Sequence, residues 1–195
     1  MVETKVNLLE THQLDLFAGI AIPRSGGKPK SLSMDADALV QWKTRIATHQ
    51  QQTKENQPVQ GTLFDVVKAH GDLDKIDPFH LRPCPMSFYR LPTDSPGDAC
   101  IYFVLDSAAG LVLYIGETSK SNKRWQGTHD CKRYLDNYKS LHYQHGLSCA
   151  VNMAFWWDVP AVARVRQQVE LGLIEKWRLP FNKENWQRWS QPFRA

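Results

Sequence analysis

With 195 residues, 42% of them hydrophobic and 23% charged, the chain is long enough for one sizeable core and has the composition of a soluble protein. No apolar run is long enough to span a bilayer, and the start MVETKVNLLETHQ lacks the charged head and apolar middle of a secretory signal, so a cytoplasmic protein without a membrane partner is expected. The net charge of +4 is uneven: residues 1–99 hold 11 Lys+Arg against 12 Asp+Glu, whereas residues 100–195 hold 13 against 8, which makes a polyanion a candidate partner for the second half.

Residues 1–33 show no sustained periodicity and contain PRSGGKPKS, the composition of a flexible linker, so they read as a mobile arm. From 34 to about 54 an acidic start, apolar positions Leu39, Trp42 and Ile46 and the polar close HQQQTKEN predict one amphipathic helix. A second short helix is expected from Thr62, with Asp65 three residues on as part of its cap. Five prolines between 77 and 98 predict an extended connection, so 34–98 reads as a partly helical, proline-rich region ahead of a compact domain at 99–195.

That domain opens with two β-like runs, CIYFVL at 100–105 and LVLYI at 111–115, separated by DSAAG, whose final glycine suits a hairpin loop. If Leu105 pairs with Leu111, antiparallel register puts Tyr102 directly opposite Tyr114. After a polar loop, ETSKSNKRWQGTH, come a helix over 130–144, a strand over 148–157 and a helix from about 161 to 178 that stops before Pro180. The order β-β-α-β-α predicts an α+β domain: a small three-stranded mixed sheet with helices packed on it. The cysteines Cys84, Cys100, Cys131 and Cys149 contain no C-x-x-C and read as reduced thiols, neither a disulfide framework nor a zinc site.

On the last long helix, Val162, Val165, Val169, Leu173 and Trp177 share one stripe, with Glu170 at its margin and Glu175 on the opposite side. Glu170 is therefore a site candidate, or else the partner of Arg166 in a rim salt bridge. Trp156, Trp157, Trp177, Trp186 and Trp189 can stack on unpaired bases, although filling a sheet-and-helix core is the commoner use. Tyr102 and Tyr114 can likewise be a plain cross-strand pair, stabilising the sheet by about 0.2–1 kcal/mol.

Taken together, Tyr102 in CIY, Tyr114-Ile115-Gly116 in YIG, Arg124 ten residues after Tyr114, Glu170 in ELGLIEK and Asn182 in PFN resemble, in order and spacing, the GIY-YIG nucleases. The resemblance covers roughly 99–186. Two positions depart from the family pattern. Cys100 stands where the first tripeptide has glycine, and Thr128 stands where a histidine or tyrosine is usual, with His129 one residue later and Tyr134 as a further substitute.

The resemblance implies a phosphodiester hydrolase, a DNA endonuclease using a single Mg²⁺ or Mn²⁺ held by Glu170. It further implies that Arg124, beside Lys120 and Lys123, grips the phosphate, that Tyr102 activates or orients water with help from Tyr114 or His129, that Gly116 admits close backbone approach, and that Asn182 tethers the surroundings of Glu170. A phenol acting as a base would need a cation such as Arg124 to lower its pKa.

In the arm, Gln13-Leu14-Asp15-Leu16-Phe17 resembles the pentapeptide with which many bacterial replication and repair proteins bind the DNA polymerase sliding clamp. Leu16 and Phe17 would fill an apolar groove and Gln13 would fix orientation. Gln60-Gly61-Thr62-Leu63-Phe64 fits that pattern less well and suits a helix start better. The leading expectation is a clamp-recruited DNA repair or recombination endonuclease. A weakly active or inactive GIY-YIG module that binds DNA or the clamp is the alternative; a restriction or mobile-element nuclease is a further one, against which the arm argues.

Overall fold

The computed structural model describes residues 34–55, 73–88, 95–127 and 129–190. The pentapeptide Gln13 to Phe17, the Gln60 to Phe64 string and the helix expected from Thr62 lie outside the described residues.

The apolar spacing 39, 42, 46 folds as helix α1 (Ala36–Glu55), which buries Leu39, Trp42, Ile46 and Gln50. Asp35 caps it, its carboxylate accepting from the Ala38 N–H at 2.7 Å. Then come β1 (Pro83–Pro85), β2 (Cys100–Asp106), β3 (Leu111–Thr118), α2 (Ser121–Arg124), α3 (Asp130–Gln144), β4 (Val151–Trp156), α4 (Ala163–Trp177) and α5 (Trp186–Trp189). The result is an α+β fold with one four-stranded sheet ordered β1-β4-β2-β3, every pairing antiparallel.

This corrects the expectation of three strands in a mixed sheet. The added strand, β1, sits in the proline-rich segment that reads as an extended connection, pairing Pro83 with Ala154 and Pro85 with Asn152. Proline lacks an N–H for the ladder and is tolerated at an edge, so the residues that hide β1 from pattern reading also confine it there.

The two faces of the sheet carry separate cores. Cys100, Tyr102, Val104, Leu111, Leu113 and Met153 pack with α1, α3 and Phe181 on one face. Ile101, Phe103, Val112, Ile115 and Ala154 meet Val169, Leu173, Ile174 and Trp177 of α4 on the other. Leu39, Trp42 and Ile46 belong to the first core, so α1 is part of the same packed body as the sheet.

The hairpin register also differs from expectation. Leu105 pairs with Val112 and Asp106 with Leu111, but a bulge follows, after which Val104 pairs with Tyr114 and Tyr102 with Gly116. The extra residue, Leu113, lets Leu113 and Tyr114 both serve the first core, which strict alternation forbids. Tyr102 and Tyr114 are thus diagonal neighbours, their ring centroids 6.1 Å apart.

Among the described residues β3 has no strand on its outer side, and side chains and a loop N–H bond that edge. The Gln50 amide accepts from the Val112 N–H and donates to the Val112 carbonyl, both at 2.9 Å. The Leu113 carbonyl accepts from Phe181 N–H at 3.0 Å, and the Asn182 amide pairs both backbone groups of Ile115 at 3.0 Å. Finally, the Glu117 N–H donates to Glu170 Oε1 at 3.1 Å.

At the opposite end of the hairpin, buried Asp106 accepts from the Ala108 and Ala150 N–H groups and from the Tyr138 hydroxyl, the last at 2.6 Å. Lys43 reaches it from α1 at 3.5 Å and also bonds His142 Nε2 at 2.8 Å. Donor atoms of Asp106, His142 and Cys149 lie within 4.8 Å of one another, and the Lys43 ammonium contacts the first two.

Removing the Gln50 amide leaves two buried backbone groups of Val112 without these partners. Gln50→Ala is expected to cost about 2–4 kcal/mol, read from urea unfolding monitored by circular dichroism.

Candidate active site

Tyr102 lies in the middle of β2 and is fully buried. Its phenol reaches across the neighbouring strand into the space above Gly116, where any Cβ would overlap its hydroxyl and Cζ. Gly116 thus makes room for a phenol, which is a different service from admitting backbone to a ligand. Arg124 Nε donates to the Tyr102 hydroxyl at 3.1 Å, and His129 Nε2 lies 3.2 Å from the same oxygen.

His129 also caps α3. Its Nδ1 accepts from the Cys131 N–H at 3.1 Å, which leaves the proton of a neutral ring on Nε2, pointed at Tyr102. The imidazole stacks on Trp125 with centroids 4.7 Å apart and planes 7° apart, and Tyr114 meets it edge-on at 5.6 Å. Burial first, then the charges of Arg124 and Lys132, lower its pKa to about 4, so the ring is neutral at neutral pH. His129, one residue beyond Thr128 in the chain, therefore sits against both tyrosines.

With both lone pairs of its oxygen facing N–H donors, Tyr102 must direct its own proton elsewhere, and Tyr114, its ring centroid 6.1 Å away, is the neighbouring phenol. Burial holds both phenols well above their ordinary pKa, outweighing the opposing influence of Arg124. The expectation that Arg124 prepares Tyr102 as a base is not met by this balance. Both hydroxyls stay protonated near neutrality, and Arg124 and His129 both address the Tyr102 oxygen.

Tyr114 lines a cavity of about 490 Å³ together with Arg124, His129, Glu170, Asn182, Lys183 and Glu184. Five of the six sequence-predicted catalytic residues therefore share one concavity, and Tyr102 stands behind its wall. Lys120 and Lys123 are exposed around α2 and do not line it, and Tyr134 contributes to its side while packing in the core.

Glu170 is half-buried, with one oxygen accepting from the Glu117 N–H. Arg166 does not pair with it; its Nε donates to Glu117 Oε2 at 2.8 Å, and its NH1 donates to the carbonyls of Pro160 and Ala161. Burial, then the Glu117 charge, raise the pKa of Glu170 to about 7, against the opposing Glu117 N–H bond and the Arg124 charge. Sequence reasoning missed Glu117, the residue that fixes Glu170 through its backbone and perturbs it through its carboxylate. Its only signal was adjacency to Gly116. Trp125, the platform beneath His129, was signalled only by its place after Arg124.

Comparison of the chain with protein-family models, with curated proteins and with solved structures finds no match to any of them.

Because Glu170 holds its proton to about pH 7 when folded and to about 4.5 otherwise, the folded state binds more protons across that window and loses stability as pH rises through it. Glu170→Gln removes this loss. Without divalent cations it is expected to melt about 2–4 °C above wild type at pH 8, with the gap closing toward pH 4.5, as followed by calorimetry.

Proposed function

We propose that this chain is a metal-dependent DNA endonuclease of the GIY-YIG type, acting in repair or recombination. The observation that carries this reading is the convergence of Arg124 and His129 on the Tyr102 hydroxyl, beside a cavity that also gathers Tyr114, Glu170 and Asn182. The order β2-β3-α3-β4-α4, with the single turn of α2 between β3 and α3, supports it as well.

The residues present fit a single hard cation. Glu170 has one oxygen engaged by backbone and the other available to a ligand, neighbouring negative charge that raises its affinity for any cation, and a cavity with room for the ion's own waters. Such an ion, when bound, supplies charge stabilisation at the leaving oxygen.

The side chains account for the remainder. Arg124 spends its Nε on Tyr102, which fixes the guanidinium plane and leaves its terminal N–H groups for a phosphate at the cavity wall. The Tyr114 hydroxyl, which lines the cavity and keeps its proton, donates into it and orients a water or a phosphate oxygen; it is not the base. Asn182 holds the backbone at Ile115, so the tyrosine next to it cannot drift along the strand. A second reading, DNA binding without cutting, is favoured by one fact: Tyr102 is wholly buried and contacts substrate only through its neighbours.

Cleavage of nicked, flapped, branched and supercoiled DNA with Mg²⁺ or Mn²⁺ separates the two. Cutting by the wild type is expected, with a loss of about 10²–10³-fold or more in Glu170→Ala and, at subsaturating Mg²⁺, a rise in rate through about pH 7 as Glu170 loses its proton. Binding without cutting across the whole panel establishes the second reading instead.

The pentapeptide Gln13 to Phe17 supports recruitment by a sliding clamp, with the following linker making later DNA contact intramolecular. Pull-down on an immobilised bacterial clamp is expected to retain the wild type and to lose a double Leu16→Ala, Phe17→Ala variant; undiminished retention removes the motif from the account.

A further inference from the structure

β4 carries an aromatic step that the chemistry above does not use. Phe155 is the cross-strand neighbour of Tyr102, and alternation places Met153, Phe155 and Trp157 on the sheet face that holds Tyr102. The Phe155 ring and the Trp157 indole lie parallel, centroids 5.1 Å apart and planes 18° apart. Phe88 braces Phe155 edge-on at 4.8 Å. Trp157 is nevertheless 53% exposed, so one face of the indole rests on Phe155 and the other is open. Of the exposed large apolar side chains among the described residues, Trp157 is the one that continues the face of Tyr102.

The cations stand at the same end of the sheet. Register puts Cys100 beside Thr118 and Ile101 beside Trp156, and the Lys120, Lys123 and Arg124 segment leaves β3 at Thr118. Backbone bonds from Ser121 to Asp98 and from Asn122 to Pro96 tie that segment to the chain entering β2. From Gly116 through Tyr102 to Phe155 is two strand spacings, about 10 Å. A phosphodiester chain held at Arg124 can therefore place a neighbouring nucleotide over Trp157.

We propose that the open face of Trp157, braced by Phe155 and Phe88, is a stacking platform for an unpaired nucleobase flanking the phosphate bound at Arg124. The proposal rests on the nuclease reading for the position of that phosphate, and it narrows the substrate class to DNA with unpaired nucleotides next to the scissile bond. A paired base inside a duplex has both faces covered by its neighbours, so only a base outside the stack can use the platform. Exposed Lys120 and Lys123, at the same end of the sheet, match the phosphate charge that such a strand brings.

Binding is measured by fluorescence anisotropy with full-length protein in EDTA, using labelled oligo-dT, a gapped duplex and a blunt duplex. Wild type is expected to prefer the oligo-dT and gapped probes, Trp157→Ala to lose about 5–100-fold on those two, and Trp157→Phe to retain most of the preference. Trp157→Lys separates stacking from charge: stacking predicts weaker oligo-dT binding despite the added cation, whereas a purely electrostatic surface predicts tighter binding to every probe. Equal oligo-dT affinity in wild type and Trp157→Ala, or tighter oligo-dT binding by Trp157→Lys, overturns the platform. Because cleavage plays no part in this assay, Trp157-dependent binding by a protein that never cuts overturns the nuclease reading alone, and cutting with Trp157-independent binding overturns the platform alone.

Discussion

The outer edge of β3 is the constraint on which the rest of the structure depends. A strand in that position turns its N–H and C=O groups away from the sheet, and buried backbone groups of this kind need partners. Here they come from α1 through Gln50, from the segment after α4 through Phe181 and Asn182, and from α4 itself through Glu170. The four docking points follow the strand from Val112 to Glu117. Satisfying the edge therefore pins α1 and α4 to the same strand and delivers a carboxylate and an amide to the neighbourhood of Tyr114.

Within the cavity, burial and charge compete, and burial prevails in each case. Arg124 touches Tyr102 directly, yet the phenol remains harder to ionise than in water. His129 is held neutral and Glu170 is held close to its titration point by the same desolvation, with the Glu117 carboxylate adding to the effect. The tyrosines thus keep their protons, and Glu170 is the cavity group held nearest its titration point at neutral pH.

Much of this was legible in the chain because it depends on short-range periodicity. The spacing of Leu39, Trp42 and Ile46 marks α1, and the strand and helix boundaries over 100–178 fall within a few residues of expectation. What was not legible depends on contacts distant in sequence. Two one-residue shifts, Leu105 pairing with Val112 at the turn and the bulge at Leu113, together move Tyr102 from Tyr114 to Gly116; the bulge answers to the packing of two core faces, and nothing local to the hairpin announces it. β1 was masked by its own prolines. Gln50 reads as the polar tail of a helix until its partner 62 residues away is known. The rim pair of Arg166 with Glu170 was reasonable from helix geometry, but a third residue, Glu117, takes the arginine from outside the helix.

The same edge arrangement bears on self-association. Sheets grow by accepting another strand at an unpaired edge, and here each edge discourages this in its own way: β1 presents prolines at Pro83 and Pro85, while β3 has side chains already seated on its outward groups. Two of those side chains, Glu170 and Asn182, also face the cavity. Replacing either one to alter the cavity therefore also uncovers backbone groups of β3 that another strand could pair, whatever the cavity is used for.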